Sequence, residues 1–82
     1  MSTIVQDSAG DVPASAVRIV VNGEPRAIER GLKLTGLIQE LHLEPERIAV
    51  EMNRRIVKRA EWPSTIVEDG SQLEIVQFVG GG

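Results

Sequence analysis

Val17-Arg-Ile-Val-Val-Asn-Gly-Glu-Pro-Arg-Ala-Ile-Glu29, followed closely by Leu34-Thr-Gly-Leu-Ile-Gln-Glu-Leu41, is the stretch that decides the fold. Val17, Ile19 and Val21 recur with a period of two, which predicts a strand. Asn22-Gly23 comes at once. Both residues accept positive φ, as the tight turn of a two-residue hairpin requires. Glu24 to Glu29 is then the return strand, with Arg26 and Ala27 on opposite faces. Pro25 has no N–H, so its position cannot be one that needs a ladder donor. Arg30-Gly31 breaks the strand. Beyond it the period changes: Leu34, Leu37, Ile38 and Leu41 fall at i, i+3, i+4 and i+7, one apolar stripe of a helix. Its start is weakly specified. Lys33 stands where Ser, Thr, Asp or Asn would cap better, and Gly36 costs roughly 1 kcal/mol relative to Ala.

Pro45 lies just beyond the helix as a stop signal. Ile48 to Met52 predicts a third strand, Asn53-Arg54 a tight turn, and Arg55 to Lys58 a short fourth strand. Ala60 to Pro63 reads as a helical turn or loop, and Asp69-Gly70 as another turn. Leu73 to Val79 is the last strand and the most apolar, which suits a central place in the sheet. Only the sheet can bury the helix stripe. The expected fold class is α+β: a β-grasp (ubiquitin-like) arrangement, a mixed sheet of four to five strands with one main helix packed on one face. The β-grasp domain should cover 17–79, after a flexible N-terminal extension over 1–16 that shows no sustained period, and before a flexible Gly tail over 80–82.

Composition narrows the function. The 82 residues predict one domain. Trp62 and Phe78 are the only aromatics, so the core must be aliphatic. A formal charge of −3 argues against a nucleic-acid partner. No apolar run nears the ~20 residues of a membrane span. The N-terminus lacks the basic-then-apolar pattern of a secretory signal. A soluble cytoplasmic protein is expected. There is no cysteine, so any sulfur handled here cannot ride on a thiol side chain.

Enzymatic chemistry finds little to work with. His42 is the only histidine. It has no catalytic partner in the pattern and reads as a helix-end or solvated residue. No Gly-rich phosphate loop is present and the carboxylates are scattered, so neither cofactor nor metal is expected. Trp62 reads as a core or rim anchor. Arg54, Arg55, Lys58 and Arg59 form the densest basic cluster. It is either a solvated edge hairpin or a docking patch for an acidic partner. On the last strand Val76 and Phe78 share a face. Phe78 either completes the core or joins an exposed apolar patch suited to docking.

The tail Gly80-Gly81-Gly82 cannot cap a strand or pack against anything. It is either a frayed end or a thread: without side chains, its backbone could enter another protein's active site and bring a Gly82 carboxylate up to a nucleotide α-phosphate. As an acyl-adenylate, that carboxylate could accept sulfur.

Val17-Arg-Ile-Val-Val-Asn-Gly-Glu24, Leu37-Ile-Gln-Glu-Leu41, Ile48-Ala-Val-Glu-Met-Asn53, Glu61-Trp62, Asp69-Gly70 and Leu73-Glu-Ile-Val-Gln-Phe-Val-Gly-Gly-Gly82 together resemble the ThiS family of thiamine-pathway sulfur carriers. The resemblance implies a protein co-substrate rather than an enzyme. It implies that an E1-like (ThiF-type) enzyme adenylates Gly82, with Gly81 as the partner glycine and Gly80 giving reach. A sulfur donor protein would then yield the thiocarboxylate, consumed by a ThiG-type thiazole synthase. Three other readings share the fold. They are a MoaD-like or other carrier serving molybdopterin, cysteine or tRNA thiolation, a ubiquitin-like protein modifier, and an inert interaction module. The N-terminal extension and the weak helix start depart from the family's usual pattern.

Overall fold

The computed structural model describes residues 15–79. Residues 1–14 of the extension expected over 1–16, and the tail 80–82, lie outside the described residues. Five strands form one mixed sheet: β1 (Ala16–Val21), β2 (Glu24–Glu29), β3 (Ile48–Met52), β4 (Arg55–Val57) and β5 (Gln72–Gln77), in the order β2-β1-β5-β3-β4. Helix α1 (Leu34–Glu40) covers one face. Short 3₁₀ turns occupy Pro45–Arg47 and Arg59–Ser64. The expected α+β β-grasp architecture is the one observed, with β5 in the centre.

Both tight turns form where the sequence places them. Asn22 and Gly23 have φ of 50° and 84°, and Asn53 and Arg54 have 53° and 70°. Each is the doubly left-handed turn whose twist matches a two-residue hairpin. Pro25 sits on β2, an edge strand, opposite Val20. The helix stripe is buried as expected: Leu34, Leu37 and Ile38 pack with Val17, Ile19, Ile28, Val50, Val67 and Leu73. Lys33 provides no side-chain cap. Gly36 has a packing reason. A Cβ there would lie 2.7 Å from Leu32 Cδ1, so the leucine folds over the bare backbone.

The helix ends in a backbone device that the sequence does not announce. His42 N–H donates to Gln39 O at 3.0 Å and Leu43 N–H to Ile38 O at 3.2 Å. These are the two bonds of a Schellman motif. His42 holds the left-handed position, φ 59°, usually given to glycine. It ends the helix through its backbone. Trp62 is the expected anchor: 3% exposed, with Nε1–H donating to Val57 O at 2.9 Å.

Several strand boundaries differ from expectation by one or two residues. β1 begins at Ala16, one residue early, because Ala16 pairs with Glu29. β5 ends at Gln77 instead of Val79, and β4 at Val57 instead of Lys58. The cause at β5 is the partner: β3 starts at Ile48, opposite Gln77, and beyond it only Phe78 N–H reaches back, to Arg47 O at 2.7 Å.

Candidate functional site: the tail-bearing strand and its open face

β5 leads into the tail, so what holds β5 sets where the tail begins. On one side it pairs antiparallel with β3 over five residues, Leu73 to Gln77. On the other, the parallel ladder with β1 has only two register pairs, Val20–Gln72 and Val21–Leu73. Side chains lengthen it at both ends. Asp69 Oδ1 accepts from Arg18 N–H at 2.9 Å. Asn22 Oδ1 accepts from Ile75 N–H at 2.7 Å, and Asn22 Nδ2 donates to Ile75 O at 3.2 Å. The Asn22 amide thus stands in for the missing next residue of β1. Asn53 does similar work on the β3 side, its Oδ1 accepting from Gln72 N–H at 2.9 Å. Three short polar side chains therefore fix the strand from which the tail departs.

The sheet face away from α1 is open. The register puts Ala49 opposite Val76, Glu51 opposite Glu74, and Glu51 opposite Ile56. Alternation carries Phe78 to the same face. Val76 is 57% exposed, Phe78 53% and Ile56 70%. Phe78 therefore does not complete the core; it belongs to an apolar patch at the root of the tail. Val79, also exposed, follows it.

Arg54 and Arg55 stand elsewhere. Arg54 occupies the β3–β4 turn and Arg55 pairs with Met52, while Gln77 pairs with Ile48. Four strand positions separate these two ends of β3, about 13 Å at the usual rise. The structure brings Val76 and Phe78 together and leaves the arginines at the far end of the same sheet. Both are exposed, as are Lys58 and Arg59. Gly80, Gly81 and Gly82 lie outside the described residues. The site feature that sequence reasoning missed is the Asn22 bridge. Its signal in the sequence, an Asn at the turn, reads as turn geometry alone.

Among the described residues no group of His, Cys, Asp or Glu could hold a metal ion, and no helix is long and apolar enough to cross a membrane.

A mixed five-stranded sheet with a central last strand and one covering helix defines a ubiquitin-like β-grasp domain. Comparison with known proteins narrows this. The profile of the ThiS family matches residues 19–82. A crystal structure of thiamine biosynthesis protein ThiS from Geobacter metallireducens superposes with a TM-score of 0.71 at 32% identity, covering 80% of this chain and 100% of that one. The sulfur carrier protein ThiS of Thermus thermophilus is 34% identical over 62 residues, 76% of this chain and 95% of its own length. A thiazole synthase of Magnetococcus marinus is 39% identical over 66 residues, 80% of this chain. The chain spans only about a fifth of the length of the thiazole synthases it matches. The chain belongs to the ThiS family.

Proposed function

We propose that this chain is a sulfur carrier for the thiazole ring of thiamine and works through Gly82. The observation that carries the proposal is the family match, which runs to Gly82 itself. The exposed patch at the root of the tail supports it, because a carrier must dock on an enzyme while its end reaches the active site. The chemistry has two stages. The Gly82 carboxylate attacks the α-phosphate of ATP, giving an acyl-adenylate and pyrophosphate. Hydrosulfide then displaces AMP and leaves a thiocarboxylate. If a donor protein's persulfide attacks instead, loss of AMP gives an acyl disulfide. A second thiol must then reduce its S–S bond, becoming oxidised to a disulfide with the donor, to free the thiocarboxylate. An E1-like, ThiF-type enzyme performs the activation. That the chain matches part of proteins named thiazole synthase supports such a synthase as the consumer.

In this reading Val76 and Phe78 dock against the activating enzyme, and Arg54 and Arg55 add a more distant contact to acidic groups. Gly80 and Gly81 give the end its reach. The chain contributes no catalytic group of its own: it is a co-substrate.

Intact-protein mass spectrometry tests this. The chain is incubated with ATP, a sulfide source and the E1-like enzyme from its own source. The expected result is replacement of one oxygen by sulfur, mapped to the C-terminal peptide, and no such change after deletion of Gly82. An unchanged mass, with the enzyme active on another carrier, would sink the proposal. Isopeptide conjugates to lysines would instead establish the modifier reading.

A further inference from the structure

Hydrogen-bonding groups along β5 face alternately left and right. Toward β3 the row is Gln72, which exchanges bonds with Asn53, and then, by the period of two, Glu74, Val76 and Phe78, whose N–H reaches Arg47. Toward β1 the row begins with Ser71, whose carbonyl accepts from Val20 N–H at 2.9 Å. It continues with Leu73, accepting from Asn22 N–H at 2.8 Å, and Ile75, bonded to the Asn22 side chain. The next member is Gln77. β1 has by then turned away into the hairpin, and no bond to the Gln77 N–H or carbonyl on this side occurs among the described residues. Among the described residues, an unpaired stretch of strand edge thus opens directly before the tail. Beside it lies a groove of about 410 Å³ between the β1–β2 turn and the end of α1. Val21, Leu41, Leu43 and Ile75 line the apolar part of its wall, Glu24 and Arg26 add a charged part, and Gln77 closes it on the β5 side.

We infer that this edge accepts a short added strand: an extended segment of the enzyme that activates the tail, pairing with Gln77 and placing an apolar side chain in the groove. The inference rests on the carrier reading for the identity of the partner. Its physical content is separate. Free N–H and C=O groups on an exposed edge are satisfied best by another extended backbone, and the neighbouring pocket selects the side chain that comes with it. Asn22 closes the row on one side, so the added strand can begin only at Gln77. It therefore lies in line with the tail and fixes its register without reading any side chain of the glycines. This contact lies on the side of β5 that faces the helix end, separate from the open-face patch of Val76 and Phe78.

Backbone amide exchange, read by NMR on the full chain alone and bound to the adenylating enzyme, tests the inference. The Gln77 N–H should exchange freely in the isolated chain and slow at least about tenfold in the complex, while Phe78, already bonded to Arg47, changes little. A semisynthetic chain carrying an N-methyl group on Gln77 loses that donor and leaves the β3 ladder untouched; its Kd for the enzyme should rise about three- to tenfold. A complex in which Gln77 exchanges as before and the N-methyl chain binds equally well overturns the added strand, and sulfur loading in the mass assay would leave the carrier reading standing. Protection of Gln77 without any loading would do the reverse. Two further results count against the inference: no complex at all, or Gln77 protected in the isolated chain and released by removing residues 1–14, which would make the occupant the chain's own N-terminal segment.

Discussion

Thr35 shows most simply how one side chain can work against the fold. Its Oγ1 is buried with no hydrogen-bond partner among the described residues. An unsatisfied buried hydroxyl gives up its hydration and gains nothing in return. Thr35→Val keeps the branched shape and removes the oxygen. It should raise stability by about 1 kcal/mol in urea unfolding; a loss would mean that the hydroxyl has a partner when the chain is in solution. Trp62 is the opposite case, a polar atom well used. Trp62→Phe leaves the Val57 carbonyl without its donor and a gap where the larger ring stood. The expected cost is about 2–3 kcal/mol, seen as a lowered unfolding midpoint. A change under ~0.5 kcal/mol would show that the indole N–H contributes little.

Among the elements, α1 has a poor start and a well-made end. Its terminal device contains a residue that pays for its conformation, since His42 holds φ 59° with a side chain attached. His42→Gly should stabilise the chain by about 1 kcal/mol while preserving both bonds of the Schellman motif. Thermal unfolding checks this, and a destabilised glycine variant would point to a role for the imidazole itself. The elements also show where sequence reading succeeds. Asn22-Gly23 and Asn53-Arg54 are legible because a turn is decided by the residues within it. The stripe of Leu34, Leu37 and Ile38 is legible because a helix writes its buried face at fixed spacing. The Asn22–Ile75 bridge is not legible, since it joins residues 53 apart and depends on how far β1 runs beside β5. The end of β5 is hidden for a similar reason, being set by where β3 begins. As for the candidate site, Val76 and Phe78 could be placed on one face from alternation alone. That this face is open could not, because burial depends on which side the single helix covers.

For the whole molecule the sheet has two distinct ends. The end at the root of the tail carries exposed Val76 and Phe78; the other carries Arg54 and Arg55. If the chain docks as proposed, Val76→Asp with Phe78→Asp should leave folding intact, since both side chains are more than half exposed. Adenylation by the activating enzyme should fall at least about tenfold, through a higher KM. Arg54→Glu with Arg55→Glu should weaken it less, and the loss should shrink as salt rises, because a rim charge acts mainly through screened attraction. Equal loss from both pairs, or none from the apolar pair, would displace the docking face. Arg54 adds a trade-off. It is a non-glycine residue at φ 70°, so Arg54→Gly should gain stability of about 1 kcal/mol while losing whatever docking its charge provides.

The bridge between Asn22 and Ile75 also bears on how the protein ages. An asparagine followed by glycine is the pair most prone to lose ammonia, because the unhindered Gly23 nitrogen can attack the side-chain amide and form a succinimide. Here that amide is held on the backbone of β5, so the folded chain resists the cyclisation and the unfolded chain does not. Once hydrolysed, the site carries a carboxylate, which cannot donate to the Ile75 carbonyl and repels it instead. Chemical wear at one side chain would therefore loosen the strand from which the tail departs. Peptide mapping of folded and denatured samples stored side by side should find the modified Asn22 accumulating faster in the denatured one, and equal rates would show that the bridge gives no protection.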